Sequence, residues 1–340
     1  MERSFFIKNE MKLTEIDKNI ICTLCYGDVK SWPMTNWEIF RYFVNRKKDN
    51  SLKKPSLGKI TQTIQGLKEE GVLEEENGFY FLKKFYKDSE SLALKRIEKE
   101  KLSDRKIKKA IKITEWLETF PFVRGVFLSG SLAFGWSREE SDIDVLVIVR
   151  KGHIWTARFL LSGVLTILGL KRSKKHIKDR ICLNHFITTN SLHIDLHSLY
   201  NAETYSRLIP LYMRKSLLAE FIKENQWIKK YVALGSGKYF LDLRQKTLPV
   251  IKLMIRSLLE VSIILIGGFA MLEKILGSWQ IRRIKKDPRT HKKGGRVTVD
   301  HCQIEFHPSS PEKKHIREYN KRVKKLGLFD MKPEKDSGLI

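Results

Sequence analysis

The sequence predicts an α+β protein with an α/β core, in which a mixed sheet lies between a small N-terminal unit and a helical C-terminal region. Two apolar runs, Val123–Leu128 and Ile143–Val149, have the length and the β-branched content of buried strands. Ahead of them, three stretches with helical spacing lead to a hairpin centred on Asn77-Gly78. After them, residues 203–278 have mainly helical periodicity.

The composition indicates a large protein with a polyanionic partner. A chain of 340 residues is long enough for two or three domains, each with its own core. Its formal net charge is +26, from 65 basic and 39 acidic residues. Such an excess favours nucleic acid, a nucleotide or an acidic membrane surface as partner, although lysines that only increase solubility are the alternative.

Cysteine usage and apolar segments favour a cytoplasmic protein. Cys22 and Cys25 have C-x-x-C spacing, but no second pair completes a zinc site, so we expect them to pack in a core. The first residues, MERSFFIKNEMK, lack the apolar region of a signal peptide. Phe159–Leu170 and Val261–Leu272 are too short to span a bilayer. We expect both to be buried helices, with a membrane contact of the second as the alternative.

Residues 1–87 are expected to form a winged helix-turn-helix domain. Thr35 and Glu38 make a capping box at the second helix, and Ser56 caps the third. The outer face of the third helix carries residue types suited to phosphates and base edges, namely Lys59, Gln62, Thr63, Gln65 and Lys68. Glu74–Glu76 in the wing would repel a phosphate backbone, so protein docking stays an alternative to nucleic-acid binding.

The rest of the chain divides by pattern into four segments. A connecting helix is expected at 88–103, and Ser103 or Asp104 would cap the first helix of a catalytic domain at 104–202. A helical domain follows at 203–278, and a basic extension at 279–340.

The chemistry is concentrated where the two apolar runs meet polar residues. The first run leads to Gly130-Ser131, and ten residues later the second run begins with Asp142-Ile143-Asp144. Residues two apart on a strand point to the same face, so Asp142 and Asp144 project together. Two carboxylates beside a small-residue turn that presents backbone N–H groups predict a site for metal and triphosphate.

This spacing resembles the signature of the DNA polymerase beta-like nucleotidyltransferase superfamily, over roughly residues 104–200. The resemblance implies that Asp142 and Asp144 hold Mg²⁺ or Mn²⁺ and that Gly130 and Ser131 bind the phosphates of an NTP substrate. It also implies a third carboxylate on a neighbouring strand, for which Asp195 in HIDLH is the best candidate. The alternative is that the strand is ICLNHFI, whose polar residues Asn184 and His185 are not acids.

Two basic segments remain open in their interpretation. The loop KRSKKHIKDR, at 171–180, could hold a triphosphate or guide an RNA backbone, or it could be a solvated surface loop. The segment from Trp279 to Arg296 is either a nucleic-acid arm or solvated charge. His301, Cys302 and His307 lack the spacing of a zinc site, so we expect no metal there.

Two functions follow as hypotheses. The first is an enzyme that transfers an NMP from an NTP to an acceptor hydroxyl by a two-metal mechanism, with RNA, DNA or a nucleic-acid-associated molecule as acceptor. The second is a winged-helix regulator that binds nucleic acid and senses nucleotide through a weakened transferase domain. A third carboxylate close to Asp142 and Asp144 would favour the enzyme.

Overall fold

The computed structural model describes residues 12–48, 54–86, 91–233, 250–268, 271–328 and 332–337. Within these ranges the chain has eleven α-helices and eight β-strands. The helices are α1 Glu15–Asp28, α2 Asn36–Arg41, α3 Leu57–Glu69, α4 Leu92–Thr114, α5 Gly130–Ala133, α6 Ile154–Ile167, α7 Leu199–Ser206, α8 Lys215–Glu224, α9 Val250–Gly267, α10 Met271–Lys285 and α11 Glu312–Lys325. The strands are β1 Leu73–Glu76, β2 Phe79–Leu82, β3 Val123–Leu128, β4 Ile143–Val149, β5 Ile181–Thr188, β6 Ile209–Met213, β7 Arg296–Val299 and β8 Gln303–His307. Short 3₁₀ turns lie at Lys83–Phe85, Glu115–Thr119, Gln226–Lys230 and Pro288–His291.

The N-terminal unit has the expected order of three helices and a hairpin. The capping box of Thr35 and Glu38 begins α2, and Ser56 caps α3. Asn77 and Gly78 have φ values of 52° and 80°, as the predicted type I′ turn between β1 and β2 requires. Its assignment as a winged-helix domain stays a prediction, because the order of elements does not by itself identify the family.

The central sheet has six strands in the order β6-β3-β4-β5-β8-β7. β4 pairs with β5 in parallel, and every other neighbouring pair is antiparallel. The predicted strands β3 and β4 therefore lie inside the sheet, where both of their faces are covered. The α+β class with a mixed-sheet core is confirmed.

Each face of the sheet contributes to a different hydrophobic cluster. Val126 and Leu128 point to the face covered by α4, α6 and α10, while Phe127 points to the face covered by α1, α7 and α11. This alternation follows from the two-residue period of a strand. Both faces are apolar, so polar residues that must reach solvent are placed at the ends of the strands.

The N-terminal unit packs directly on the last helix of the chain. The ring of Tyr26 in α1 lies 4.4 Å from that of His315 and 6.2 Å from that of Tyr319. Arg322 Nε lies 2.7 Å from Asp28 Oδ2. The expected core position of Cys22 and Cys25 is confirmed, since both are fully buried in the same cluster.

The connecting segment differs from the prediction. α4 is one continuous helix of 23 residues, and its N-cap is Ser91 rather than Ser103 or Asp104. Ser103 is buried inside the helix, where its Oγ accepts a hydrogen bond of 3.1 Å from the N–H of Ser137. The capping interpretation was wrong because this serine bonds a distant loop rather than its own helix end. Residues 88–90 of the predicted connecting helix lie outside the described residues.

The region predicted as helical at 203–278 also contains a strand. Ile209–Met213 forms β6, which pairs antiparallel with β3 at the edge of the sheet. Pro210 is tolerated there because an edge strand has a side that needs no hydrogen-bond donor. The later apolar stretch is two helices, α9 and α10, which are separated at Gly268 with a φ of 59°. Residues 234–249 of the predicted helical region lie outside the described residues.

The basic C-terminal segment belongs to the central sheet. β8 pairs with β5, and β7 pairs with β8, so the sheet ends on residues from 296–307. The prediction of an extension at 279–340 was wrong, because hydrogen bonds between residues more than a hundred positions apart are not visible in local periodicity.

The two apolar stretches also differ from each other. The prediction that Phe159–Leu170 is buried holds for Leu161 and Leu165 of α6 and is wrong for Phe159, Ile167 and Leu168, which are 42%, 86% and 55% exposed. The prediction that Val261–Leu272 is buried is wrong, since Val261 is 54% exposed and Leu265 is 77% exposed. Among the described residues, no helix has the length and apolar character needed to cross a bilayer.

Candidate active site

The two acids of the predicted motif lie together at the beginning of β4. Gly130 approaches the second of them so closely that a Cβ at position 130 would lie 3.1 Å from Asp144 Cγ and still closer to Oδ2. Its φ of 67° is in the left-handed region that favours glycine. The N–H of Ser129 donates a 2.9 Å hydrogen bond to the carbonyl oxygen of Asp144. The small-residue turn and the acid pair therefore form one packed unit, as the spacing indicated.

A buried lysine fixes the loop that leads to the acid pair. Lys106 Nζ donates hydrogen bonds of 2.7 Å and 2.8 Å to the carbonyl oxygens of Glu139 and Ser141. The same ammonium group lies 2.9 Å from Asp179 Oδ1, in the loop before β5. Helix α4 thus holds together the two loops that enter the site from adjacent strands.

Charge in the acid pair is only partly compensated. Burial, together with the neighbouring carboxylate of Asp142, raises the pKa of Asp144 to about 6. Arg172 Nε lies 2.9 Å from Asp142 Oδ2 and is the cation nearest to the pair in the described salt bridges. Two close carboxylates with one arginine retain the capacity to bind a further cation.

The predicted third carboxylate is not part of this site. Asp195 lies in an irregular segment, its side chain is 80% exposed, and its carboxylate is 3.9 Å from His193 Nε2. The strand beside β4 is ICLNHFI, with Asp144 opposite Cys182 in the register. The nearby polar residue of this strand is Asn184, whose Nδ2 donates a 3.2 Å hydrogen bond to Asp144 Oδ1. The interpretation of Asp195 as an extended-strand residue was therefore wrong.

The donor atoms suit a hard divalent cation. Ligand atoms of Asp142, Asp144 and Cys182 lie within 4.8 Å of one another. Burial raises the pKa of the Cys182 thiol, so the two carboxylates are the ionised ligands. Mg²⁺ binds proteins through one or two carboxylates and completes its octahedron with water and substrate phosphate. The acid pair fits this pattern without a third protein carboxylate.

The acid pair opens into a cavity of about 1200 Å³. Besides the acids, the cavity is lined by cationic side chains from three segments of the chain, which we call the cationic wall: Arg158 of α6, Lys171 and Lys174 of the following loop, and Arg283 and Arg289 of the C-terminal segment. The basic loop 171–180 therefore contributes only some of its cations to the cavity. Lys178 of this loop lies at the surface, 2.6 Å from Glu139.

Arg289 of the cationic wall is paired with Asp287 at 2.6 Å, whereas the other four cations of the wall have no acidic partner in the described salt bridges. Burial and the charge of Arg283 lower the pKa of Arg158 to about 10. Burial, and then the charges of Arg158 and Arg283, lower the pKa of Lys171. Arg158 Nη1 donates a 2.6 Å hydrogen bond to Gln280 Oε1, while its Nε has no hydrogen-bond partner among the described residues. Buried cations that repel one another and have free donors favour an anionic ligand.

A histidine cluster lies beside Asn184. Ligand atoms of His185, Glu305 and His307 lie within 4.8 Å of one another, but Arg296 already forms an ion pair with the Glu305 carboxylate. Burial, followed by the charge of Arg296, lowers the pKa of both histidines to about 3. His301, which the sequence places near His307, is not in this cluster. Its ring accepts a 3.3 Å hydrogen bond from Trp155 Nε1.

The comparisons with known proteins agree with the motif. Residues 107–234 match a family model described as a nucleotidyltransferase domain. This chain carries a nucleotidyltransferase domain. The match confirms the enzyme class that Gly130, Ser131, Asp142 and Asp144 indicated. Among curated proteins, none matches the chain.

One solved structure has a similar chain. It is a crystal structure of a toxin–antitoxin with AMP-PNP, and its chain is 18% identical to this one. The alignment covers 36% of this chain and 88% of that chain, with a TM-score of 0.23.

The cationic wall was only partly visible in the sequence. The basic runs at 171–180 and 282–296 were recognised, but nothing local indicated that they meet in one cavity. Arg158 had a weak signal of its own, since it is the single charged residue in the apolar helix α6. An ionised residue inside an otherwise apolar helix is placed there for a partner or a ligand.

Proposed function

We propose that this nucleotidyltransferase transfers an NMP from an NTP to an acceptor hydroxyl and releases pyrophosphate. The observation that carries the proposal is that one cavity is lined both by Asp142 and Asp144, with the glycine turn packed against Asp144, and by the cationic wall. The carboxylates would hold a metal ion at the reacting phosphate, and the arginines and lysines would bind the remaining phosphates directly. Neither the acid pair alone nor the cationic wall alone would provide both metal binding and phosphate binding.

The acid pair takes the central role in this reaction. Asp142 and Asp144 would hold Mg²⁺ or Mn²⁺, in the two-metal arrangement of polymerase-type enzymes. When bound, such an ion neutralises developing charge on the phosphoryl oxygens and polarises the attacking hydroxyl. Arg172, now 2.9 Å from Asp142, would turn to the substrate phosphates when the carboxylates have their cation.

The glycine turn and the cationic wall position the NTP. Backbone N–H groups at Gly130 and Ser131, with the Ser131 hydroxyl, would bind the β- and γ-phosphates. Arg158 has an unused Nε donor, and its pKa of about 10 keeps it charged at neutral pH. Catalysis would then come from orientation and charge neutralisation of an in-line displacement.

The size and charge of the cavity support a nucleic-acid acceptor. A volume of about 1200 Å³ exceeds the range of about 300–1000 Å³ common for small-molecule pockets, which leaves room beside one NTP. Lys174 lines the same cavity and adds a cation to those of Arg158, Lys171 and Arg283, whereas Arg289 is already paired with Asp287. An RNA or DNA end has the charge that these residues would neutralise.

A regulator that binds nucleotide without turnover is the second candidate. Asn184 occupies the position facing Asp144 where an acid was expected, and an amide cannot act as an anionic metal ligand. The outer face of α3 is also available, since Lys59, Gln62 and Gln65 are exposed. Lys68 on this face lies 2.9 Å from Glu75 of the wing, which reduces the charge offered to a phosphate backbone.

The deciding experiment uses the full-length protein with each α-labelled NTP, Mg²⁺ or Mn²⁺, and separate pools of RNA, DNA and protein. We expect label in a nucleic-acid pool, and no label with the double variant Asp142→Asn/Asp144→Asn. Asp195→Asn is the matched control, because it removes an exposed carboxylate outside the site. Label in the protein pool would mean that the acceptor is a protein and not a nucleic acid. Nucleotide binding without transfer under all conditions would favour the regulator.

A further inference from the structure

Helix α9 is oriented with its apolar side outward. Leu258 is 67% exposed and Ile266 is 88% exposed, whereas Arg256 and Glu260 are buried. A helix on the surface of a protein in water normally has the opposite arrangement, with a polar face toward solvent. Over the described span of α9, its three charged residues are Lys252, Arg256 and Glu260, and none of them is exposed.

Specific polar contacts fix this orientation. Both carboxylate oxygens of Glu260 accept hydrogen bonds of 2.8 Å from the guanidinium of Arg124, and Oε1 also accepts one of 2.8 Å from the N–H of Phe122. Arg256 Nη1 donates a 2.7 Å hydrogen bond to the hydroxyl of Tyr212. Rotating α9 to bury its leucines would break this network, so the outward apolar face is a built feature of the domain.

Helix α10 extends the same surface and ends in basic residues. Met271, Ile275 and Trp279 follow one another four residues apart along one side of α10, and each is at least 48% exposed. We call the exposed apolar residues of both helices the apolar face: Val250, Ile251, Met254, Ile255, Leu258, Leu259, Val261, Leu265, Ile266, Met271, Ile275 and Trp279. The last turn of α10 carries Arg282, Arg283 and Lys285.

We propose that the apolar face docks on the surface of an anionic lipid bilayer and lies in its interface without crossing it. Over its described span, the outward side of α9 consists of aliphatic residues, two serines and one methionine, whereas protein interfaces are enriched in aromatic residues, methionine and arginine. An amphipathic helix of this kind buries its apolar side at the boundary between headgroups and acyl chains.

Charge at the edge of the apolar face matches anionic headgroups. Lys274 on α10 and Lys151, just before α6, are exposed, and Arg150 lies 3.3 Å from Glu260 with its side chain 43% exposed. Tryptophan is enriched at the level of headgroups, and Trp279 lies between the apolar and the basic part of α10. The net charge of +26 gives the whole chain long-range attraction to such a surface.

Docking would place the catalytic cavity close to the membrane. Trp279 belongs to the apolar face and also lines the cavity, and Arg283, one turn later, belongs to the cationic wall. The proposal does not depend on transferase activity, since its test measures lipid binding alone.

The test is sedimentation of the full-length protein with vesicles of phosphatidylcholine, alone or mixed with phosphatidylglycerol. We expect binding to the mixed vesicles that weakens with salt, and a partition coefficient at least about tenfold lower for Leu258→Glu/Ile266→Glu. For Lys151→Glu/Lys274→Glu we expect the partition coefficient on mixed vesicles to fall about fivefold or more for each lysine replaced. On vesicles of phosphatidylcholine alone this variant should bind like the unchanged protein. Leu57→Glu/Leu94→Glu is the matched control, because it adds the same two charges at exposed leucines of α3 and α4.

Each other outcome overturns the proposal. It is wrong if the protein stays in the supernatant with both kinds of vesicle, or if Leu258→Glu/Ile266→Glu binds like the control variant. A dimer in sedimentation equilibrium that this double variant converts to monomer would assign the apolar face to a second copy of the chain. Far-UV circular dichroism of each variant confirms that the substituted protein is folded.

Discussion

The two sides of the proposed catalytic cavity are built in different ways. The acid side comes from one short stretch, in which Gly130 at the end of β3 packs against Asp144 at the beginning of β4. The cationic wall is assembled from α6, the loop after it and the C-terminal segment, which reaches the site because β8 pairs with β5. Local chain geometry determines the first side, and tertiary structure determines the second.

This difference predicts a division of labour. The acid side has a fixed geometry, with Asp144 partly buried and Gly130 in close contact, as a reaction centre would require. In the cationic wall, Arg158, Lys171 and Arg283 have no acidic partner in the described salt bridges and would gain most from a bound polyanion. Changes on the acid side should therefore reduce kcat, and changes in the cationic wall should mainly raise KM.

The largest effect is expected from Asp144→Asn. The substitution keeps the shape of the side chain but removes a metal-binding charge, so we expect kcat for NMP transfer to fall at least about 1000-fold. Nucleotide binding, measured by isothermal titration calorimetry, should persist because the cationic wall is unchanged. A loss of binding equal to the loss of turnover would break the proposed division between the two sides.

Measuring kcat for NMP transfer with Asp195→Asn tests whether Asp195 acts as a third carboxylate of the site. Asp195 is exposed and its carboxylate contacts His193, so kcat should stay within about twofold of that of the unchanged protein. A large loss of activity in this variant would mean that the segment around Asp195 moves into the site when substrate binds.

The sequence predicted the acid side because its information is local. The spacing of Gly130, Asp142 and Asp144 needs only a turn and two adjacent strands, so period and turn chemistry suffice. The interpretation of Asp195 failed because HIDLH has the alternation of a strand, while the amide of Asn225 bonds the backbone at both Leu192 and Ile194 and holds the segment irregular.

The cationic wall and the apolar face could not be predicted for a related reason. The position of Arg283 beside Arg158 depends on where α10 packs, and that depends on contacts such as Gly277 against the ring of Trp155. Likewise, α9 has the composition of a buried helix, and only its contacts with Arg124 and Tyr212 reveal that its charged residues face inward. Periodicity identifies the faces of a helix but not the direction in which each face points.

Gly130→Ala sharpens the comparison by changing the geometry of the acid side without changing its charge. The new methyl group would collide with the Asp144 carboxylate, and the backbone at φ 67° disfavours alanine. We expect about 1–3 kcal/mol of lost stability and roughly a 100-fold lower kcat, because the carboxylate must move. The measurements are urea unfolding and steady-state kinetics.

Gly152→Ala is the matched control for this substitution, since Gly152 also has a positive φ, of 75°, and no atom lies within 4 Å of its added methyl group. It should lower stability by about 1 kcal/mol through the backbone alone and leave activity almost unchanged, because Gly152 does not line the cavity. If Gly130→Ala behaved like this control, the close approach of glycine to Asp144 would have no role in catalysis.

Arg158→Met tests the cationic wall. Methionine keeps much of the apolar stem but removes a buried charge whose Nε has no described partner. We expect KM for the NTP to rise about 10–100-fold while kcat changes little, because charge-assisted hydrogen bonds to phosphate are lost. Stability should change little, because removing a charge that has no acidic partner offsets the loss of the hydrogen bond to the buried Gln280. A fall in kcat with unchanged KM would move Arg158 to the reaction centre.

The smallest effect concerns His185, next to the strand pair that brings the C-terminal segment to the site. Its pKa of about 3 lies below the value of about 6.5 expected in the unfolded chain, so the unfolded state binds more protons between these two pH values. The stabilisation is complete above pH 6.5 and is lost as pH falls toward 3. In urea unfolding, His185→Phe should therefore reduce the slope of the unfolding free energy against pH by up to about 1.4 kcal/mol per pH unit. His307 and His315 titrate in both proteins, so equal slopes would show that His185 is not held neutral between β5 and β8.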